Sequence, residues 1–395
     1  MSELRKMEEK TKVVKAVGPE GLIWFVLIIS FFAMFGMKMG VANMFGTMMA
    51  TAHDLVINTC FLISAVCILA GAVSAIFSEF GVLALANMIL SPLMKPLYNL
   101  PGVSVIGVMA TYLSDNPAIL SLAADRGFCR YFKRYQYVSL TNLGTSFGMG
   151  LIVGTFMVAQ GSITGESYLG AVLTGTLGAV IGSIVSVRIM QFFSKREYGT
   201  DEGAKAEGYE SKEEFDVLNF REIRVGNGLQ RFMEALLDGA KTGFNLSLLV
   251  IPGVATICTV VMMLTNGPGA EGVYTGAAYE GIAVLPVLGR YLNIILDPLL
   301  GFQDPSAIAF PLTSLGAVGA AIGIVPQLLR EGRIGANEIA VFTAMGMCWS
   351  GYLSTHVAMM EAINSRKMTM KAILSHTIGG FLAGVCAHFF YVILL

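Results

Sequence analysis

Sixteen residues decide how this chain is read: "VMATYLSDNPAILSLA", Val108 to Ala123. An apolar stretch is broken at its centre by Ser114-Asp115-Asn116-Pro117. Pro117 has no N–H to donate and disfavours helix at Asn116, so a helix arriving there must stop. From Gly102 to Ser114 is about 13 residues, or ~20 Å of helix at 1.5 Å per residue, short of the ~30 Å hydrocarbon core of a bilayer. Such a segment reaches the interior of a membrane and turns back.

The surroundings are membrane-like. Of 395 residues, 55% are hydrophobic and only 13% charged, against about 25% charged in ordinary soluble domains. Apolar runs near or above the roughly 20 residues of a spanning helix recur at 21–40, 139–159, 168–193 and 372–395. The expected fold is an all-α polytopic integral membrane protein. No signal peptide is visible before the first apolar segment. The six cysteines have no ligand spacing, so neither a disulfide framework nor a zinc site is expected. No nucleophile elbow, HExxH motif or paired-carboxylate arrangement is present, so no enzyme and no resident cofactor are expected. No nucleic-acid partner is expected either.

Basic residues cluster at the N-terminus, at 126–134, at 195–231 and at 366–371. Placing these patches on the cytoplasmic side makes the N-terminus cytoplasmic and the protein a multi-pass resident of the inner membrane. The apolar segments connect the patches only if 80–124 and 273–329 each enter and leave on one side. Two re-entrant hairpins follow, and the first contains the quoted tetrapeptide.

The same peptide logic appears twice. "SDNPAIL" at Ser114 resembles "FQDPSAIAF" at Phe302, pairing Asn116-Pro117 with Asp304-Pro305. Asn58 pairs with Asn245 and Thr141 with Thr343, at offsets of ~190 to ~200 residues, about half the chain. With an odd number of crossings per half, the second half is upside down. That is the inverted-topology architecture of secondary transporters, with broken helices around a midplane site. The expected boundaries are a cytoplasmic segment 1–20, a first transmembrane helix 21–43, a first repeat 44–194, a cytoplasmic linker 195–230 and a second, inverted repeat 231–395.

Opposed helix ends offer N–H groups to an anionic atom and carbonyls to a cation. The candidate solute-binding residues are therefore Ser114, Asp115 and Asn116 at one tip and Gln303, Asp304 and Ser306 at the other. Asn58, Asn245, Asn142 and Thr343 would form the walls. Ser139, Thr145, Ser350, Ser354 and His356 stand on the same crossing helices. Asp238 and Lys241, three apart on one helix face, are candidates to pair with each other.

"RFMEALLDGAKTGFNLSLLVIPGVATICTVVMML" (Arg231 to Leu264), followed by "GFQDPSAIAFPLTSLGAVGAAIG" (Gly301 to Gly323), resembles the nucleoside-recognition, or gate-domain, membrane proteins of the YjiH-like group. "YLSDNPAIL" and "RYFKRYQYVSLTNLGTSFGMGLI" fit the same group. The resemblance implies distant similarity to concentrative nucleoside transporters, in which two re-entrant hairpins and two broken helices surround the substrate, usually with sodium coupling. The tip here departs from that pattern, because it lacks the glutamate that holds the nucleoside. The expected function is secondary transport of a small polar or charged organic solute, a nucleoside-like one included, with Na+ or H+ as the candidate coupling ion. The alternative is a non-transporting gate-domain scaffold or subunit of a larger assembly. Glycine-rich helix faces allow a homodimer or a membrane subunit partner.

Overall fold

The computed structural model describes residues 15–115, 118–119, 126–204, 220–269, 271–350 and 352–395. Asn116 and Pro117 lie outside them. Among the described residues the secondary structure is helical, with no β-strand. Among the described residues six helices are long and apolar enough to cross a membrane, and the chain is a polytopic all-α membrane protein.

The first crossing helix, α1 (Pro19–Met39), carries apolar residues on all sides and leaves most of them exposed; only its last turns pack inward, through Phe35 and Met39. A helix apolar all round belongs in lipid. The element order then runs twice. The first half comprises α2 (Val41–Glu79), α3 (Val82–Tyr98), α4 (Ser104–Leu113), the interrupted pair α5 (Arg134–Thr145) and α6 (Gly150–Ala159), and the long α7 (Leu169–Tyr198). The second comprises α8 (Gly228–Thr265), α9 (Val284–Leu300), α10 (Pro305–Ser314), α11 (Val318–Arg330), the interrupted pair α12 (Ala336–Cys348) and α13 (Tyr352–Ala362), and the long α14 (Thr369–Leu394).

The correspondence reaches into detail. Helices α3 and α9 are both 17 residues long. Both α2 and α8 contain one π-helical turn, at Leu55–Cys60 and Val254–Cys258, and the two turns pack against each other. Thr141 and Thr343 each sit eight residues into α5 and α12, as the sequence pairing expects.

Corresponding long helices pack antiparallel. Helix α2 crosses α8 where a Cβ on Gly243 would stand 2.0 Å from the Cys67 carbonyl and one on Gly71 would stand 2.4 Å from the Gly239 carbonyl. Helix α7 crosses α14 where Gly182 and Gly379 face each other's carbonyls. Side-chain-free contact of this kind is how helices associate where water supplies no hydrophobic drive. Between the long pairs lie the buried short helices; α12 has all of Glu338–Cys348 buried and α5 all but one residue. Helices α3 and α9 expose Met88, Ile89, Tyr291 and Ile294 on the outside.

The pairing of the two proline peptides is corrected by this order. Ser114 and Asp115 follow the end of the short helix α4, whereas Gln303 to Ser306 precede the start of α10. Pro305 is the first helical residue, and Asp304 caps it by accepting the N–H and hydroxyl of Ser306. Asp-Pro here is helix-start chemistry. The element that stands where Ser114–Asp115 stands is the link between α10 and α11, Leu315 to Ala317. Asn58 and Asn245 are likewise mismatched: Asn58 lies in the π turn of α2, while Asn245 lies nine residues before the π turn of α8.

Candidate functional site

Helix ends from both halves converge on one cavity of about 300 Å3. Asp115 enters from the end of α4. Gly316 and Ala317 enter from the α10–α11 link, Met149 from the break between α5 and α6, and Ser350 from the break between α12 and α13. Thr355 on α13 and Gly253, just before the π turn of α8, complete the wall, with Leu246, Leu249 and Val250 as its apolar side.

Local sequence accounts for each end. Ser114 leaves helical geometry at φ −132°, ψ −106°, one residue before Asp115. Met149 has a left-handed φ of 55° in the turn that separates α5 from α6. At the start of α11 the first intrahelical bond runs from the Ala321 N–H to the Ala317 carbonyl. The N–H groups of Val318, Gly319 and Ala320, all lining the cavity, have no acceptor within their helix. They give this wall a positive dipole end. The cavity thus offers one carboxylate, two hydroxyls, free backbone N–H groups and an apolar side. That combination suits a solute of mixed polarity, and the volume falls at the lower end of ligand pockets, roughly 300 Å3 and upward.

The other sequence-predicted residues are dispersed. Ser114 borders a separate cavity of about 230 Å3 with Gly71, Arg224, Asp238 and Thr242. Gln303 and Asp304 line a third, about 600 Å3, with Arg333, Asn337, Glu338 and Tyr391; Ser306 beside them is fully buried. The structure therefore does not bring Asp115 and Asp304 together. Asn142 is buried, with its amide hydrogens on the Ser186 hydroxyl (3.0 Å) and the Ala372 carbonyl (3.0 Å). Buried Thr343 donates to the Ile339 carbonyl at 2.7 Å. Asn142 ties α5 to α7 and α14, whereas Thr343 bonds back along its own helix. Asn58 is exposed and bonds to Asp54 at 2.7 Å; Asn245 is exposed on α8.

Asp238 pairs with Arg224 at 3.0 Å and not with Lys241, a correction of the same-helix pairing. Two wall elements escaped the sequence reading. Thr355 was masked by its helix, and the Gly316–Ala317 link was obscured by the stronger proline signal at Pro305. A run of small residues between two short apolar helices, "LGAVGAAIG", was the available sign. Among the described residues no group of three or more His, Cys, Asp or Glu is placed to hold a metal ion.

No protein-family model matches the sequence, and no curated protein sequence matches it. Solved structures do. A doubly substituted CNTnw, a concentrative nucleoside transporter, in an outward-facing state superposes with a TM-score of 0.55 at 12% identity, over 95% of this chain and 86% of that one. CNTnw in an inward-facing, substrate-bound state gives a TM-score of 0.53 at 11% identity, over 86% of this chain and 80% of that one. At such identity what is shared is the fold.

Proposed function

We propose that the protein is a secondary transporter of a small polar or charged organic solute, bound at the cavity where Asp115, the Gly316–Ala317 link and the breaks at Met149 and Ser350 meet. The convergence of four interrupted helix ends, two from each half, is the observation that carries this reading. Irregular backbone at membrane depth survives only where it is packed in protein or lines a polar cavity, and here it does the latter.

In this reading α4 and α10–α11 belong to re-entrant hairpins, and residues 44–194 and 231–395 are gate-like repeats of inverted topology. The antiparallel packing of α2 on α8 and of α7 on α14 supports it. The linker 195–230 and the N-terminus face the cytoplasm of a cell bounded by this inner membrane. The solute touches Asp115, with Asn116 adjoining. The Gln303–Asp304 cavity is a separate vestibule at the other end of α10. The likeness to CNTnw favours a nucleoside-like solute, and the YjiH-like resemblance points the same way. A coupling cation, Na+ or H+, belongs to the same proposal.

The test is thermal stabilisation of the purified protein against nucleosides, bases, amino acids and di- and tricarboxylates, each in sodium and in potassium. A solute at 100 times its Kd stabilises the folded state by about 2.7 kcal/mol. The expected hit weakens at least tenfold in Asp115→Asn and survives in Asp304→Asn. Silence across the panel in both cations overturns the transporter reading in favour of a scaffold.

A further inference from the structure

The solute cavity has a neighbour. The cavity of about 230 Å3 that Ser114 borders lies toward the linker end of α2 and α8, and Leu246 of α8 lines both spaces. The end of α4 also divides them, with Leu113 and Ser114 on one side and Asp115 on the other. The two spaces thus meet at the Leu246 side chain and the end of α4. From there the neighbouring cavity follows one face of each long helix. On α2 its wall is Cys67, Gly71, Ser74 and Ser78, steps of four, three and four residues that keep to one helix face. On α8 it is Asp238, Thr242 and Leu246, at steps of four. Arg224 and Asp238, paired at 3.0 Å with side chains 31% and 65% exposed, stand at the far end. Exposed charges are costly in hydrocarbon, so this end opens to water and not to lipid.

The hydroxyls set this cavity apart from ordinary helix packing. Thr141, Thr174, Ser194 and Thr343, on other helices, each lie within hydrogen-bond distance of a carbonyl one turn back in their own helix. Ser74, Ser78 and Ser114 make no side-chain hydrogen bond among the described residues. A hydroxyl without a partner is costly away from water. Three of them along one cavity mark a wet space.

We propose that this serine-lined cavity is the passage by which the solute moves between its site and the face that carries the linker, with Leu246 as the narrowest point. Ser114, Ser74 and Ser78 offer a polar solute hydrogen bonds in succession, in place of those it makes with water. The Arg224–Asp238 pair frames the mouth. Arg224 is also bonded to Glu79, so the mouth carries no unpaired cation to hold an anion back. The solute's part in this rests on the transporter reading; the wet passage itself does not.

Thiol labelling of the full chain in sealed vesicles of either orientation tests it. Cys67 is first replaced by serine, because it lines the same wall. Ser78→Cys, Ser74→Cys, Ser114→Cys and Ser350→Cys are then treated one at a time with a cationic, membrane-impermeant methanethiosulfonate. All four are expected to react about tenfold faster from the linker side than from the other, Ser78→Cys fastest and Ser350→Cys slowest. Leu246→Trp is expected to slow Ser350→Cys about tenfold from that side and to leave Ser78→Cys unchanged. Leu246→Ala is expected to speed Ser350→Cys, and it serves if the tryptophan variant fails to fold. Reaction of Ser74→Cys and Ser114→Cys from the opposite side, or only with a lipid-soluble maleimide, overturns the proposal. So does a Ser350→Cys rate unmoved by either change at Leu246. If labelling runs as expected while the solute panel is silent, the transporter reading fails and the wet passage stands. A solute hit that depends on Asp115, with Ser74→Cys inert from the linker side, sinks the passage alone.

Discussion

The two ends of the α2–α8 pair are fastened in opposite ways. At the end reached by the 195–230 linker, Glu79 closes α2 and is buried among arginines. It accepts from Arg231 Nε at 2.7 Å, from Arg224 Nη1 at 2.7 Å and from the Arg224 N–H at 3.1 Å, and Arg224 goes on to Asp238 at 3.0 Å. At the other end the loop between α8 and α9 is wound round Glu280, which accepts from the Thr275 hydroxyl at 2.7 Å and from the N–H groups of Thr275 and Gly276 at 2.9 Å. That loop is stitched to α2 by Asn43 on the Tyr274 carbonyl (2.9 Å), by the Tyr279 N–H on Thr51 (2.8 Å) and by the Tyr279 hydroxyl on Asp54. One end is held by long charged side chains gathered on a carboxylate that is only 4% exposed. The other is held by backbone and short side chains that leave little to exchange. The lesson is that charge pairing fastens one end of the helix pair and main-chain hydrogen bonding the other.

Three substitutions break or sharpen that contrast. The largest effect is expected from Gly243→Leu, because the added side chain has nowhere to go against the Cys67 carbonyl. Forcing the helices apart costs about 3 kcal/mol, and size-exclusion profiles and thermal midpoints should show both ends failing together. A well-folded Gly243→Leu would mean that α2 and α8 are not clamped at their centre.

Glu79→Gln comes next. It strips Arg224 and Arg231 of their shared counter-charge, and a drop of several degrees in the unfolding midpoint is expected. Amide exchange should rise around 220–231 and leave 271–283 unchanged. Equal exchange at both ends would erase the distinction between them.

The smallest effect, and the one that titrates, belongs to Glu280. Burial pushes its carboxyl up, but the hydrogen bonds from Thr275 and Gly276 outweigh it and hold it below the usual carboxylate range. A carboxyl depressed by folding stabilises above its unfolded value, about 4.3 for Glu. That contribution disappears as pH falls through the folded value. The wild-type midpoint should therefore fall faster than that of Glu280→Gln between pH 6 and pH 3, with the two curves meeting at the acid end. Parallel curves would show that the loop does not depend on the charge of Glu280.

Much of this was legible in the chain. The apolar runs gave the crossing helices, since composition alone decides what lipid accepts, and Thr141 and Thr343 hold equivalent places in α5 and α12. The site was half legible. Asp115 was marked by the Asp-Asn-Pro break, but its partner element carries no proline and no charge. Gly316 and Ala317 turn the chain through smallness alone, and smallness is common throughout a glycine-rich membrane protein. Pro305 drew attention one short helix too early because proline marks helix starts as readily as helix breaks. The polarity of Asn142 and Thr343 suggests wall residues, yet in a dry interior a polar side chain more often bonds to a neighbouring helix, as Asn142 does, or back to its own, as Thr343 does. Asp238 found Arg224 from the linker, a pairing across tertiary structure that no helical spacing announces.

The paired π turns of α2 and α8 carry a consequence for how the chain can change over generations. A π turn holds one residue more than an α turn, and each residue rotates a helix by about 100°. Before Leu55–Cys60 the buried face of α2 is set by Met44, Thr47 and Thr51 against α1 and the last turns of α8; after it, Ile63, Cys67 and Ala70 meet α6 and the first turns of α8. Deleting one residue at the turn would rotate everything downstream away from its partner, as a shifted reading frame garbles every later word. At the two π turns, then, a change of length disturbs more of each helix than a change of one side chain does.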